Sequence, residues 1–425
     1  MELLNKAGYQ PVERPAWAEI MIVNTCGFIQ PAREESLHEL RSLAHHKKRG
    51  QKLIAAGCLP QRLREAIIDE VPQLDGVIST RRWMDILQVV ENIRGNQSPK
   101  PIYHIPDVPD MGGDDHGVLR SAVQGTSAYL KIADGCRRGC AFCSIPLIKG
   151  RAVSRQPENI IRDAKILQEL GVQELILIAQ DTTDYGSDLG IQDGLAFLLE
   201  QLTDAVPDLP WIRIMYAYPG YVTDRLIAVM AERQQILPYL DIPLQHADPA
   251  VLKQMRRPSN LEWVYRTIEK MRAAMPDLAL RTTFIVGYPG ETGEKFQTLL
   301  DFMSEIQFDR ASAFPFSFEP GTASESLGDP VPPEVKEERL ERLMLHQETI
   351  SLRRNQAWIG RTIPVLVEGI SEDISIGRSQ RDAPEIDGLV LIEGQAEVGK
   401  IIPVQITGAL VHDLTGRMID SQPGG

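Results

Sequence analysis

Short apolar runs recur along the chain, each followed by polar or glycine-rich residues and then by a helical spacing of apolar positions. Ile20-Met21-Ile22-Val23-Asn24 leads into Cys26, and Leu37, Leu40, Leu43 and Ala44 then share one helical face. Lys52-Leu53-Ile54-Ala55-Ala56 leads into Gly57 and Cys58, with a further helical pattern from Gln61. Alternation of period two with period 3.6 is the βαβ rhythm of a parallel sheet. It predicts an N-terminal α/β domain over residues 1–95. Both cysteines fall just past a strand's C-terminal end, where open α/β sheets bind ligands.

Proline and glycine crowd the next stretch, with Pro99, Pro101, Pro106, Pro109 and a Gly112-Gly113-Asp114-Asp115 run, so residues 96–121 read as a linker. The βα pattern then returns over residues 122–358. Tyr129–Ala133, Glu174–Ala179, Trp211–Tyr218, Tyr239–Leu244, Arg281–Val286 and Ala311–Phe318 read as strands. Gln180-Asp181, Pro219, Gln245-His246, Gly287-Tyr288-Pro289-Gly290-Glu291 and Glu319-Pro320-Gly321 follow them in turn. Polar motifs after successive strands match the catalytic face of a (β/α) barrel, and the strand number favours a partial barrel over a closed eightfold one. A charged helix from Pro333 to about Trp358 closes this part. The short runs of residues 359–425, separated by turn residues, predict a small β-barrel.

The chain has 425 residues, more than one hydrophobic core usually spans, and its 43% hydrophobic and 24% charged content is that of a globular protein. No apolar run reaches the roughly 20 residues needed to cross a bilayer, and the first residues lack a secretory pattern. A cytoplasmic location without membrane attachment is therefore expected. The net charge of −13 lowers the expectation of a nucleic-acid partner and raises that of a basic one.

Three of the five cysteines lie within Asp134-Gly135-Cys136-Arg137-Arg138-Gly139-Cys140-Ala141-Phe142-Cys143. An odd cysteine number without a signal segment argues against a disulfide framework. Structural zinc takes four closed ligands, whereas no fourth cysteine or histidine is near; His104 and His116 do not complete a usual spacing. Cys136, Cys140 and Cys143 can instead hold a four-iron cluster with one iron left open. That iron can chelate S-adenosylmethionine (SAM) and reduce its sulfonium, giving a radical that abstracts hydrogen from unactivated carbon.

With Ser144-Ile145-Pro146, Gly150-Arg151 and Ser154-Arg155, this segment resembles the signature of the radical SAM methylthiotransferases. Three stretches resemble the RimO-type branch: Ala179–Gly186, Tyr239–His246 and Arg381–Gly388. The resemblance implies an N-terminal cluster domain, a radical SAM partial barrel and a C-terminal TRAM domain. It further implies β-methylthiolation of an aspartate on small-subunit ribosomal protein twelve, with an electron-donor protein supplying reductant. Cys136, Cys140 and Cys143 would ligate the SAM-cleaving [4Fe-4S] cluster, and Cys26 and Cys58 a second, auxiliary one. Gln180, Gln245 and Arg281 would line the SAM pocket, with Gly287 and Glu291 near adenine. No residue is singled out as catalytic.

The family's auxiliary cluster takes a third cysteine from a Gly-Cys-Pro-Lys-Asn-like motif ahead of the first helix, and this sequence contains no such motif. Either the natural chain begins upstream of Met1, or it lacks that ligand and the strand bearing it. The second case would leave an edge of the N-terminal sheet exposed.

TRAM domains often bind RNA, yet residues 361–425 hold five basic residues against ten acidic ones. That balance disfavours phosphate and suits docking of a basic ribosomal protein. A tRNA adenosine methylthiotransferase and a truncated, non-catalytic partner-binding relative are the alternatives.

Overall fold

The computed structural model describes residues 2–95, 100–106 and 119–419. By its contacts the chain forms two compact units: residues 1–119, 134–153 and 317–328 in one, and 120–133, 154–316 and 329–425 in the other.

In the first unit, β1 (Ile20–Thr25), β2 (Lys52–Gly57), β3 (Gly76–Ser79) and β4 (Ile102–His104) form a parallel sheet in that order. β2 is apolar at nearly every position because both faces of the sheet are covered. Leu53 and Ala55 pack on one side with Leu40, Ala44 and Ile67, while Ile54 and Ala56 pack on the other with Ile86, Val89, Val90 and Ile93. The last four share one face of the helix Ile86–Gly95 through i, i+3, i+4, i+7 spacing. β4 lies inside the stretch expected to be linker. Ile102 and Tyr103 face opposite sides of the sheet and join its two cores, which makes pairing with Gly76–Ile78 favourable despite the flanking prolines. Pro99, Pro109, His116 and the Gly-Gly-Asp-Asp run lie outside the described residues. β1 is the edge of the described sheet, and a groove of about 730 Å³ runs beside it, lined by Tyr9, Val12, Trp17, Ile20 and Ile22 among others.

In the second unit, β5 (Ser121–Gln124) pairs antiparallel with β6 (Ser127–Lys131). Parallel to β6 follow β7 (Glu174–Ile178), β8 (Trp211–Ile214), β9 (Ile236–Asp241), β10 (Ala279–Val286) and β11 (Arg310–Pro315). This is the open, partial barrel that the apolar runs predict. Three of those runs overshoot, the last of them because β11 ends at Pro315 rather than Phe318. β8 stops at Ile214 because Tyr216 adopts φ +60, outside extended geometry. β9 stops at Asp241, ahead of Pro243, which has no N–H for the ladder. The helix Pro333–Gln356 follows β11.

The C-terminal strands β12 (Thr362–Ser371), β13 (Ile374–Ser379), β14 (Val390–Glu393), β15 (Ile401–Ala409) and β16 (Leu414–Met418) close into a barrel filled by Ile363, Val365, Val367, Val390, Ile392, Val404 and Ile406. Its Leu366 and Ala383 pack against Ile176, Trp211, Tyr239 and Ala279 of the parallel sheet. Beside this apolar contact, the Glu174 carboxylate is fully buried and meets Arg213 Nε at 2.6 Å and Arg378 Nη2 at 2.6 Å. Burial raises the Glu174 pKa, but the two guanidiniums overcome that and hold it below the usual carboxylate range. Among the described residues, no helix is long and apolar enough to cross a membrane.

Removing one partner of a buried ion pair leaves an uncompensated charge and costs about 3–5 kcal/mol. Arg378→Ala is therefore expected to lower unfolding stability by that amount in urea titrations, and a loss below about 1 kcal/mol would contradict the pairing.

Candidate functional site

The first unit gathers all five cysteines, present as thiols. Cys26 and Cys58 directly follow Thr25 and Gly57, which are register partners on adjacent parallel strands. Glycines let the two loops touch. A Cβ on Gly27 would sit 2.9 Å from the Cys58 carbonyl carbon, and one on Gly57, at φ +106, would sit 2.6 Å from the Thr25 carbonyl oxygen. The Cys26 N–H donates to Ser36 Oγ at 3.0 Å, and that hydroxyl donates back to the Cys26 carbonyl at 3.2 Å. Neither thiol belongs to a hydrophobic core: Cys26 is exposed and Cys58 half-buried.

The loop carrying Cys136, Cys140 and Cys143 packs against these turns. Ser144 Oγ donates to the Phe28 carbonyl at 2.8 Å. Burial raises the Cys58 thiol pKa, and the nearby Lys149 ammonium partly offsets this. Lys149 is itself paired with Asp134 at 2.6 Å. Arg62 donates to the carbonyls of Gly27 and Phe28, each at 3.0 Å, and pairs with buried Glu319 at 2.7 Å. The Ser324 N–H donates to the Ala141 carbonyl at 2.8 Å, bracing the cysteine loop from the same segment. Ser36, Arg62 and Lys149 had no motif to mark them, because each acts through a contact outside its own short stretch, whereas Glu319 opens one of the polar motifs expected after a strand.

Within the loop, Gly135 has φ +79 and a Cβ there would lie 2.2 Å from the Arg151 carbonyl oxygen, so only glycine fits. The Cys136 N–H donates to the Gly150 carbonyl at 3.0 Å, and the Cys143 N–H closes a turn on the Cys140 carbonyl at 3.1 Å. The Arg138 N–H points to Cys136 Sγ at 3.4 Å. All three thiols are half-buried. No group of three or more His, Cys, Asp or Glu is drawn together around a single-ion site among the described residues. A four-iron cluster is wider than one ion and spreads its ligands further apart, and this soft, solvent-reachable thiol set on a tightly wrapped loop fits it.

Of the remaining sequence-predicted residues, Gln180, Gln245, Gly287 and Glu291 follow the C-terminal ends of β7, β9 and β10, whereas Arg281 lies in the first half of β10, level with Asp241 at the end of β9 and Arg310 at the start of β11. Gln180 follows β7, and its Oε1 is buried without a hydrogen-bond partner. Gln245, at φ +75, bridges β10: its N–H donates to the Thr283 carbonyl and its carbonyl accepts from Ile285, both at 2.8 Å. Arg281 is buried on β10, with Nη1 3.2 Å from Asp241 Oδ1 and Nη2 2.8 Å from Ser312 Oγ. Glu291 accepts the Gly287 N–H at 3.1 Å, pairs with Arg339 at 2.6 Å and meets His246 Nε2 at 3.2 Å. Glu291 thus clamps the strand-end turn, and Gly287, at φ +70, lets that turn form. Asp241 was not anticipated. Its Oδ2 has no partner, and burial raises its pKa to about 6 against the pull of Arg281.

Models of known families match three segments: the radical SAM superfamily over residues 130–303, the TRAM domain over 359–419, and the uncharacterized protein family UPF0004 over 1–79. The ribosomal protein uS12 methylthiotransferase RimO of Chloroflexus aurantiacus is 46% identical over 433 residues, covering 98% of this chain and 95% of its own. The chain belongs to this methylthiotransferase family. RimO proteins of Roseiflexus sp. (strain RS-1) and Microcystis aeruginosa are 44% and 43% identical, covering 99% and 98% of this chain and 93% and 94% of their own. Among solved structures, the radical SAM methyltransferase TsrM of Kitasatospora setae superposes with a TM-score of 0.56 at 15% identity, covering 74% of this chain and 68% of that one. That likeness concerns the fold alone. Membership of the radical SAM superfamily brings iron–sulfur and SAM chemistry with it.

After anaerobic reconstitution, the chain is expected to hold about eight irons, falling to about four in Cys136→Ala. Iron unchanged in the variant would remove Cys136 from the ligand set, and about four falling to near zero would leave only the SAM cluster. A raised native pKa means that ionising Asp241 opposes folding, so its contribution is present at low pH and is lost as pH rises from about 4 to about 6. Urea titrations across that range should show roughly 2–3 kcal/mol of such loss, absent in Asp241→Asn.

Proposed function

We propose that this chain catalyses β-methylthiolation of an aspartate on ribosomal protein uS12. The observation that carries the reading is near-full-length identity to uS12 methylthiotransferases, spanning the N-terminal, radical SAM and TRAM segments together. The working divisions are residues 1–95, 122–358 and 359–425, in a cytoplasmic enzyme served by an electron-donor protein.

Cys136, Cys140 and Cys143 hold the first [4Fe-4S] cluster, and Cys26 and Cys58 contribute to a second. When bound, the first cluster and SAM supply the one-electron cleavage that removes hydrogen from the target carbon. The chain's own residues set the surroundings. Gly135 and the Cys140–Cys143 turn shape the loop that carries the three thiols, and the Arg138 N–H donates to Cys136 Sγ. The Lys149 ammonium offsets part of the desolvation of Cys58, whose pKa stays raised. The partnerless Gln180 Oε1 is a buried acceptor waiting for a donor, and polar ligands such as SAM carry amino and hydroxyl groups that satisfy such atoms.

The C-terminal barrel supports a protein rather than an RNA substrate. Arg378 and Arg381 are buried and paired with Glu174 and Asp309. Arg361 pairs with Asp277, Lys400 with Glu397, and Arg417 donates to Gln405 Oε1. Glu368, Glu372, Asp373, Glu385, Glu393 and Glu397 stand exposed. This surface attracts a basic protein and repels phosphate.

Reconstituted protein incubated with uS12, SAM and a low-potential reductant is expected to add one methylthio group to a uS12 aspartate, read by peptide mass spectrometry, and Cys136→Ala should abolish it. Methylthiolated adenosine in tRNA, with uS12 unmodified, would overturn the reading. Failure to cleave SAM after reconstitution would instead favour a truncated, non-catalytic relative that binds a partner.

A further inference from the structure

The loop joining β13 to β14 leaves the C-terminal barrel and enters the inner face of the parallel sheet. It is anchored at several points: Arg310 Nη2 donates to Asp382 Oδ1 at 2.8 Å, Arg378 Nη1 donates to the Asp382 carbonyl at 2.9 Å, and Ala383 is buried against the sheet. Asp387, with its side chain fully buried, lies at the loop's far end. Its Oδ2 accepts the Tyr239 hydroxyl at 2.7 Å and the Ala383 N–H at 2.9 Å. Its Oδ1 is 3.4 Å from Arg281 Nε, an ion-pair contact that satisfies no hydrogen-bond geometry.

Arg281 is therefore held on three sides: Asp241 and Ser312 take its two terminal nitrogens, and Asp387 faces Nε. A cavity of about 270 Å³, lined in part by Arg281, Ser312, Asp387 and Gln347, opens beside this arrangement. A guanidinium is planar, so fixing its Nε edge as well as its fork determines the plane of the whole group. Of the three partners only Asp387 comes from outside the sheet.

We infer that Asp387 is a positioning residue through which the C-terminal barrel sets the orientation of Arg281 in the SAM pocket. The inference rests on the proposed function and on the family resemblance that puts Arg281 in that pocket. It gives the barrel a part in cofactor binding, separate from any docking of the substrate protein.

The test is equilibrium binding of SAM to the reconstituted holoenzyme, by anaerobic calorimetry, for Asp387→Asn, Arg281→Gln and the double variant. Asp387→Asn keeps an acceptor for Tyr239 and Ala383 but removes the charge facing Arg281. It is expected to weaken SAM binding about 5- to 30-fold while its thermal midpoint stays within about 4 °C of the parent. Arg281→Gln should weaken binding comparably. The double variant should be no more than about twofold worse than the weaker single one, because Asp387 acts through Arg281. Tyr239→Phe, which removes only the hydroxyl steadying Asp387, serves as a second variant should Asp387→Asn fail to fold, with an expected weakening of about two- to fivefold. Parental affinity in Asp387→Asn, or in Tyr239→Phe where that stands in for it, would overturn the inference, as would single effects that multiply in the double variant. If Arg281→Gln itself binds SAM like the parent, the pocket assignment fails and the inference falls with it. If Arg281→Gln is weak while Asp387→Asn is normal, the positioning role alone is lost.

Discussion

An open parallel sheet that carries charge on its inner face must find partners for every one of those charges away from water. Here Glu174, Arg213, Asp241, Arg281 and Arg310 all lie on strands of the sheet and are buried. An isolated ion in such a place costs several kcal/mol. The C-terminal barrel supplies much of the compensation, with Arg378 on Glu174, Asp382 on Arg310 and Asp387 against Arg281. The apolar contact of Leu366 and Ala383 with Ile176, Trp211 and Tyr239 excludes water around these pairs and so strengthens them. The barrel is thus part of the sheet's electrostatics as well as a separate folding module. The same demand explains why two of its five basic residues are buried and turned inward, leaving an exposed surface rich in carboxylates.

The first unit works by a different constraint, the close approach of backbones. Gly27, Gly57 and Gly135 each sit where a side chain would collide with a neighbouring main chain. Those glycines allow the turns after β1 and β2 to touch and the cysteine loop to wrap. Carbonyl oxygens left pointing outward are taken by Arg62 and Ser144. Soft thiol side chains are thus presented on turns held by close backbone contacts. Glu319 gathers Arg33, Arg62 and the Gln30 N–H, which holds a remote segment of chain against the same turns.

Much of this was legible in the sequence. The βα rhythm gave both parallel sheets, since buried strands and amphipathic helices differ in period. The glycines among the closely spaced cysteines announced a tightly wrapped loop because that geometry is local. Legibility failed where contacts were distant. Ile102–His104 was hidden by flanking prolines and became a strand only because two cores accept Ile102 and Tyr103. Trp211–Tyr218 and Tyr239–Leu244 were read too long because the departures at Tyr216 and Pro243 come where the chain turns away from the sheet.

By itself, then, the sequence determined the order of the parallel sheets and the small barrel, the cysteine pattern and the family, all of which follow from patterns within short windows of chain. Only the tertiary structure decided which charges became partners. It placed Asp387 beside Arg281, left Asp241 Oδ2 and Gln180 Oε1 without donors, and turned Glu291 into the clamp of a turn. Electrostatic energy depends on separation and burial, and neither quantity is encoded by distance along the chain.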